Sequence, residues 1–233
     1  MLTVRVIPVV LYDGTQAVKT VRFVEPRNVG HVAHIARLYA SRQVDEIVFL
    51  DIAARKARRG PDLAVVEQFA RETNAPFAVG GGIRSLDDAK ALFEAGADKV
   101  VLGVGAWGDG DLLERLADKY GRQAIVVTLD AMPSTAPWVG PRLAERGAGE
   151  IVLTSVDREG TRVGYDTAMV ESVAKAVSVP VIANGGMGVP AHAVAAMKAG
   201  AHAVAGASMF LFTDHRPRDV KVALREAGYE VRL

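Results

Sequence analysis

Glu46-Ile47-Val48-Phe49-Leu50-Asp51-Ile52 and Glu150-Ile151-Val152-Leu153-Thr154-Ser155-Val156 lie 104 residues apart. They open two stretches, 46–104 and 150–208, that align without a gap. Gly60, Asp62, Ala64, Val66, Glu67 and Ala70 fall on Gly164, Asp166, Ala168, Val170, Glu171 and Ala174. Gly81-Gly82 falls on Gly185-Gly186, and Ala95-Gly96-Ala97 on Ala199-Gly200-Ala201. Identities occupy 19 of the 59 aligned positions. Self-similarity at a fixed period marks a duplicated structural unit. Two similar halves, about 1–119 and 120–233, account for it. Arg5–Leu11 pairs with Ala124–Asp130 at a different offset, 119. The offset grows from 104 to 119, so the first half holds 15 more residues after its first strand.

Around this repeat, β-branched runs alternate with amphipathic stretches. Strands are predicted at 4–11, 45–52, 76–80, 98–103, 124–130, 149–154, 180–183 and 202–206. Their near-continuous apolar character suits parallel strands covered on both faces. Helices are predicted at 61–73, 85–95, 166–176 and 189–199, with Asp62, Ser85 and Asp166 as N-caps. Gly96 and Gly200 stand where left-handed helix ends belong. Eight strand–helix units predict an α/β fold, a single (β/α)₈ TIM barrel of two half-barrels spanning 1–233.

Composition narrows the function. With 28 basic and 27 acidic residues, nothing favours nucleic acid or an anionic membrane. The absence of cysteine excludes disulfide and thiolate chemistry and fits a cytoplasmic protein. No run reaches the ~18 apolar residues of a membrane span. His31, His34, His192, His202 and His215 show no metal-ligand spacing, so no metal is expected. No cofactor is expected either.

Barrel active sites lie where the strands end, and glycine lets backbone N–H groups approach an anion. Val79-Gly80-Gly81-Gly82-Ile83 and Ala183-Asn184-Gly185-Gly186-Met187 occupy equivalent strand ends. Gly185, Gly186, Ala207, Ser208, Gly160 and Thr161 are candidates for one phosphate site. Tight strand–helix turns also need glycine, so the pairs alone do not decide. In the first half Gly82 is present, but Gly103-Val104 replaces Ala207-Ser208, and valine offers no hydroxyl.

Several ordered motifs carry a family likeness. They are R-V-I-P at 5–8, E-I-V-F-L-D-I at 46–52, V-G-G-G-I-R-S at 79–85 and A-G-A-D-K-V at 95–100. I-V-V-T-L-D-A at 125–131, G-A-G-E-I-V-L-T-S-V-D-R-E-G-T at 147–161 and P-V-I-A-N-G-G at 180–186 follow. On these motifs the chain resembles the HisF family, the cyclase subunit of imidazole glycerol phosphate synthase, over essentially its whole length. The resemblance implies a barrel that receives ammonia from a HisH-like glutaminase at its N-terminal face. The ammonia would cross the barrel to a phosphorylated substrate at the C-terminal face. Arg5, Glu46, Lys99 and Glu150 match the family's charged gate; otherwise they form a ring plugging the barrel floor. Asp98 and Gln123 match positions near the glutaminase dock, or are ordinary surface residues.

The family's acid–base pair ends the first and fifth strands. Asp130 matches the second member; as an alternative it caps a turn. The first position is Leu11, which cannot transfer a proton, and Asp13 follows in the loop. Lys19 matches a family lysine near substrate, or is a solvated loop residue. The segment after the fifth strand, 131–137, is short. The stretch I-P-V-V-L-Y-D-G-T-Q-A-V-K-T-V-R-F at 7–23 resembles a paralogous branch that aminates bacterial surface sugars. An ammonia-channelling synthase subunit of that branch is the leading expectation. The cyclase of histidine biosynthesis and a non-catalytic barrel that docks and activates a glutaminase are the alternatives.

Overall fold

The structure is a computed structural model that describes residues 3–103 and 111–233. Val104 lies outside the described residues. The first half begins with β1 (Arg5–Tyr12), β2 (Ala17–Val21), β3 (Val24–Gly30) and α1 (Val32–Ser41). It continues with β4 (Ile47–Asp51), α2 (Leu63–Glu72), β5 (Phe77–Gly80), α3 (Leu86–Glu94), β6 (Lys99–Leu102) and α4 (Leu112–Tyr120). The second half comprises β7 (Ile125–Ala131), α5 (Ala136–Glu145), β8 (Glu150–Ser155), α6 (Thr167–Ala176) and β9 (Val181–Asn184). It ends with α7 (Pro190–Lys198), β10 (Ala203–Gly206), α8 (Ser208–Phe212) and α9 (Pro217–Glu226).

Strands β1 and β4 through β10 pair in parallel, each with its chain neighbour. β10 returns to β1 through the pairs Arg5–Ala203, Val6–Val204, Ile7–Ala205 and Pro8–Gly206. The sheet therefore closes, and the fold is a (β/α)₈ barrel. Alternation along each strand divides the core in two. Val6, Val10, Phe49 and Val79 face the helices, whereas Ile7, Val9, Val48 and Ala78 fill the bore.

The sequence repeat recurs in the contacts. Asp62 accepts from the Val65 amide, and Asp166 from Met169. A Cβ on Gly82 would lie 2.9 Å from the Gly60 carbonyl carbon, and one on Gly186 2.8 Å from that of Gly164. The same pairing joins Gly81 to Asp51 and Gly185 to Ser155. These glycines are required by close backbone packing at positive φ, whatever else their amides do.

The expected loop after the first strand is instead an antiparallel hairpin, β2–β3, continuing the sheet from β1. Lys19 is thus a strand residue. Ala17-Val18-Lys19-Thr20-Val21 carries the β-branched residues that favour this, a signal eclipsed by the longer barrel strands. His31 follows, and its ring accepts from the Ala33 amide to start α1.

Candidate active site at the barrel mouth

The C-terminal ends of the strands surround a cavity of about 820 Å³. Its floor includes Val9, Val48, Val101 and Val152, which point inward from β1, β4, β6 and β8.

One row of side chains crosses three adjacent strands. The register pairs Asp130 of β7 with Thr154 of β8, and Thr154 with Asn184 of β9. All three line the cavity. Asn184 Nδ2 donates to Thr154 Oγ1 at 3.1 Å. Asp130 is open to the bore but walled by protein. Burial pushes its carboxyl above the usual aspartate range, and a hydrogen bond with Thr154 pulls it partly back. A carboxyl raised in this way holds its proton more readily than a free aspartate and is a candidate for proton exchange with a bound molecule. Elsewhere in the bore, Leu11 of β1 pairs with Leu50 of β4 and is buried at 7% exposure. Asp13 serves its own turn, accepting from the Thr15 and Gln16 amides at 2.9 Å each. Among the described residues, the other carboxylates lining the cavity, Asp51 and Glu159, are paired with Arg59 and Lys19.

The hairpin closes one side of the mouth through Glu159, a residue the sequence did not single out. Its carboxylate pairs with Lys19 and accepts from Thr20 Oγ1 at 3.2 Å and the Phe23 amide at 3.1 Å. Both members of the Lys19–Glu159 pair are buried. Burial pulls the Lys19 ammonium down to about 8, still above neutrality. The adjoining carboxylate works in the opposite direction by favouring the charged form.

Gly82, Gly160, Gly185, Gly186, Ala207 and Ser208 all border this cavity. Thr161 does not appear in its lining; its amide and hydroxyl both donate to the Arg158 carbonyl, at 3.1 and 2.7 Å. Exposed arginines 55, 58, 84 and 162 add a positive rim that overall charge balance conceals. Arg59 is held differently, forked onto the buried Asp51 at 2.6 and 3.1 Å. Arg58 and Arg162, equivalent in the repeat, both adopt left-handed backbone, with φ of 53° and 64°.

At the opposite end, four charges converge as expected. Arg5 pairs with Glu46 and lies 3.0 Å from Glu150; Lys99 Nζ lies 3.0 Å from Glu46 and 3.2 Å from Glu150. Burial works against the Arg5 charge, but the two carboxylates overcome it and leave its pKa raised. Val48, Val101 and Val152 stand two residues beyond Glu46, Lys99 and Glu150. The cavity floor is therefore the next inward layer above the ring, roughly 6.6 Å along the strands. Asp98 and Gln123 are exposed at this same end. Asp98 also accepts from the Phe77 amide at 2.9 Å, and Gln123 donates to the Tyr120 carbonyl at 3.3 Å.

Among the described residues, no group of three His, Asp or Glu side chains could hold a metal. No helix among them is long and apolar enough to cross a membrane.

The fold and site define an α/β barrel with a glycine-rimmed, carboxylate-bearing mouth above a charged floor. The chain belongs to the HisF family: residues 5–216 match the model for histidine biosynthesis proteins, and full-length HisF relatives are 40–42% identical. It is 42% identical to the imidazole glycerol phosphate synthase subunit HisF of Streptomyces griseus and to that of Streptomyces coelicolor. Identity to the same subunit of Frankia casuarinae is 40%. Each alignment covers 99% of both chains.

Proposed function

We propose that this chain is the ammonia-using synthase subunit of a HisF-type glutamine amidotransferase, acting on a phosphorylated acceptor at the barrel mouth. One observation carries the reading: the charged ring lies a single inward layer below the floor of the cavity that holds Asp130. Ammonia released by a HisH-like glutaminase at the N-terminal face would pass between the ring charges into the apolar bore. Asp130 would exchange the proton, and Lys19 would hold negative charge on the acceptor. The amides around Gly185-Gly186 and Ala207-Ser208, with Gly160 and Thr161 nearby, would cradle its phosphate. Gly82 would contribute at the other pole. Asp98 and Gln123 would meet the glutaminase.

The relatives' names support imidazole glycerol phosphate formation more than amination of a surface sugar. Leu11 favours the second reading. Cyclisation by two carboxylates requires an acid where the bore presents Leu11 and Leu50. Supplying wild-type protein with ammonium and the synthase's phosphorylated substrate separates the two. Turnover supports the cyclase. Turnover that appears only in Leu11→Asp supports amination of a different acceptor. A chain that binds and activates a glutaminase yet passes ammonia to no acceptor would be a docking barrel instead.

A further inference from the structure

The row Asp130–Thr154–Asn184 has a direction. A side-chain amide nitrogen only donates, so at 3.1 Å Asn184 Nδ2 occupies a lone pair of Thr154 Oγ1. The Thr154 hydroxyl has one hydrogen, and its lateral neighbour on the other side of the row is the Asp130 carboxyl. An ionised carboxylate only accepts, so it completes the chain. Thr154 is 2% exposed, leaving its hydroxyl little access to water. The three residues are lateral neighbours in the β-register, which fixes their spacing through the backbone. The repeat offers no parallel: Asn184 corresponds to Gly80, Thr154 to Leu50, and, at the other offset, Asp130 to Leu11.

We propose that Asn184 is a positioning residue for Asp130, acting through Thr154. By donating to the Thr154 hydroxyl, it commits that hydroxyl's only hydrogen to the Asp130 carboxylate and fixes which oxygen faces the bore. This role rests on Asp130 being the proton-exchanging group of the proposed reaction. The other charged cavity groups do not substitute for the row. Lys19 is paired with Glu159 and Arg59 with Asp51, while arginines 55, 58, 84 and 162 stand at the rim.

The test is a carbon-detected NMR titration of the Asp130 carboxyl in the full chain, assigned with Asp130→Asn. It needs neither glutaminase nor acceptor. Thr154→Val keeps the shape and removes the hydroxyl; it is expected to raise the Asp130 midpoint by about one pH unit. Asn184→Ala leaves the hydroxyl free to turn, and is expected to give a smaller rise in the same direction. Thr154→Ser restores the wild-type midpoint. An unchanged midpoint in Asn184→Ala, or a Thr154→Ser titration like that of Thr154→Val, overturns the proposal. If the midpoints move as expected while no ammonia-dependent turnover is found with any acceptor, the relay stands and the assigned function fails.

Discussion

Lys99 Nζ lies 3.0 Å from Glu46 Oε1 and 3.2 Å from Glu150 Oε2, so one ammonium joins carboxylates at equivalent positions of the two repeats. With Arg5 completing the ring, each carboxylate meets two cations. Glu46 is the more buried carboxylate and depends most on them. Replacing Lys99 by Met leaves two negative charges sharing one guanidinium. The expected loss is about 2–3 kcal/mol in urea unfolding. Adding Glu46→Gln to Lys99→Met is expected to recover most of it. A single variant as stable as wild type would show that the four charges are not coupled.

The bore position of Leu11 predicts what an added acid does. Leu11 packs with Leu50 and Val18 in the inner core. A carboxyl there loses water, while the nearby Lys19 and Arg59 are already paired with Glu159 and Asp51, so its pKa is raised. Its charged form therefore costs stability as pH rises. Leu11→Asp is expected to be about 2–4 kcal/mol less stable at pH 7 and closer to wild type at pH 4.5. Thermal unfolding at the two values measures this; an equal loss at both would mean the new side chain reaches solvent.

Asp130 predicts the opposite sign for its removal. Its carboxyl binds a proton at higher pH in the folded chain than in the unfolded one. Between the ordinary aspartate range near 4 and the folded midpoint, the native state holds more protons, so its stability falls as pH rises. Asp130→Asn removes that contribution. The variant's stability relative to wild type is expected to increase from pH 4.5 to 7.5, while proton-dependent turnover is lost. A difference that stays flat across this range contradicts a raised Asp130 carboxyl.

The glycines at the mouth separate packing from exposure. Gly186 has φ 107° and a Cβ there would meet the Gly164 carbonyl at 2.1 Å. Gly30 has φ 121° with nothing within 4 Å. Gly186→Ala is expected to cost several kcal/mol, and Gly30→Ala about 1 kcal/mol from backbone strain alone. Calorimetric unfolding of the two variants should differ accordingly, and equal losses would remove the contact from the explanation.

Much of this was legible in the sequence because the relevant forces are local or periodic. The caps Asp62, Ser85 and Asp166 formed as read, and the 104-residue repeat returned as equivalent backbone contacts. The charged ring was legible because four strand starts each carry one charge. The hairpin was not, because residues 13–30 contain short β-runs whose pairing with β1 depends on closure of the sheet. Glu159 stayed hidden for a similar reason. Its partners Lys19, Thr20 and Phe23 lie about 140 residues away, and no local spacing announces them. The row through Asn184 required the β-register, which sequence alone does not supply.

Hydrogen–deuterium exchange on the chain mixed with a HisH-type glutaminase tests the ammonia-conduit reading most directly. The expected result is new protection around Arg5, Glu46, Asp98–Lys99, Gln123 and Glu150, with the glycine turns at the mouth unchanged. Absence of a complex, or protection confined to the glycine turns after β5 and β9, would contradict it.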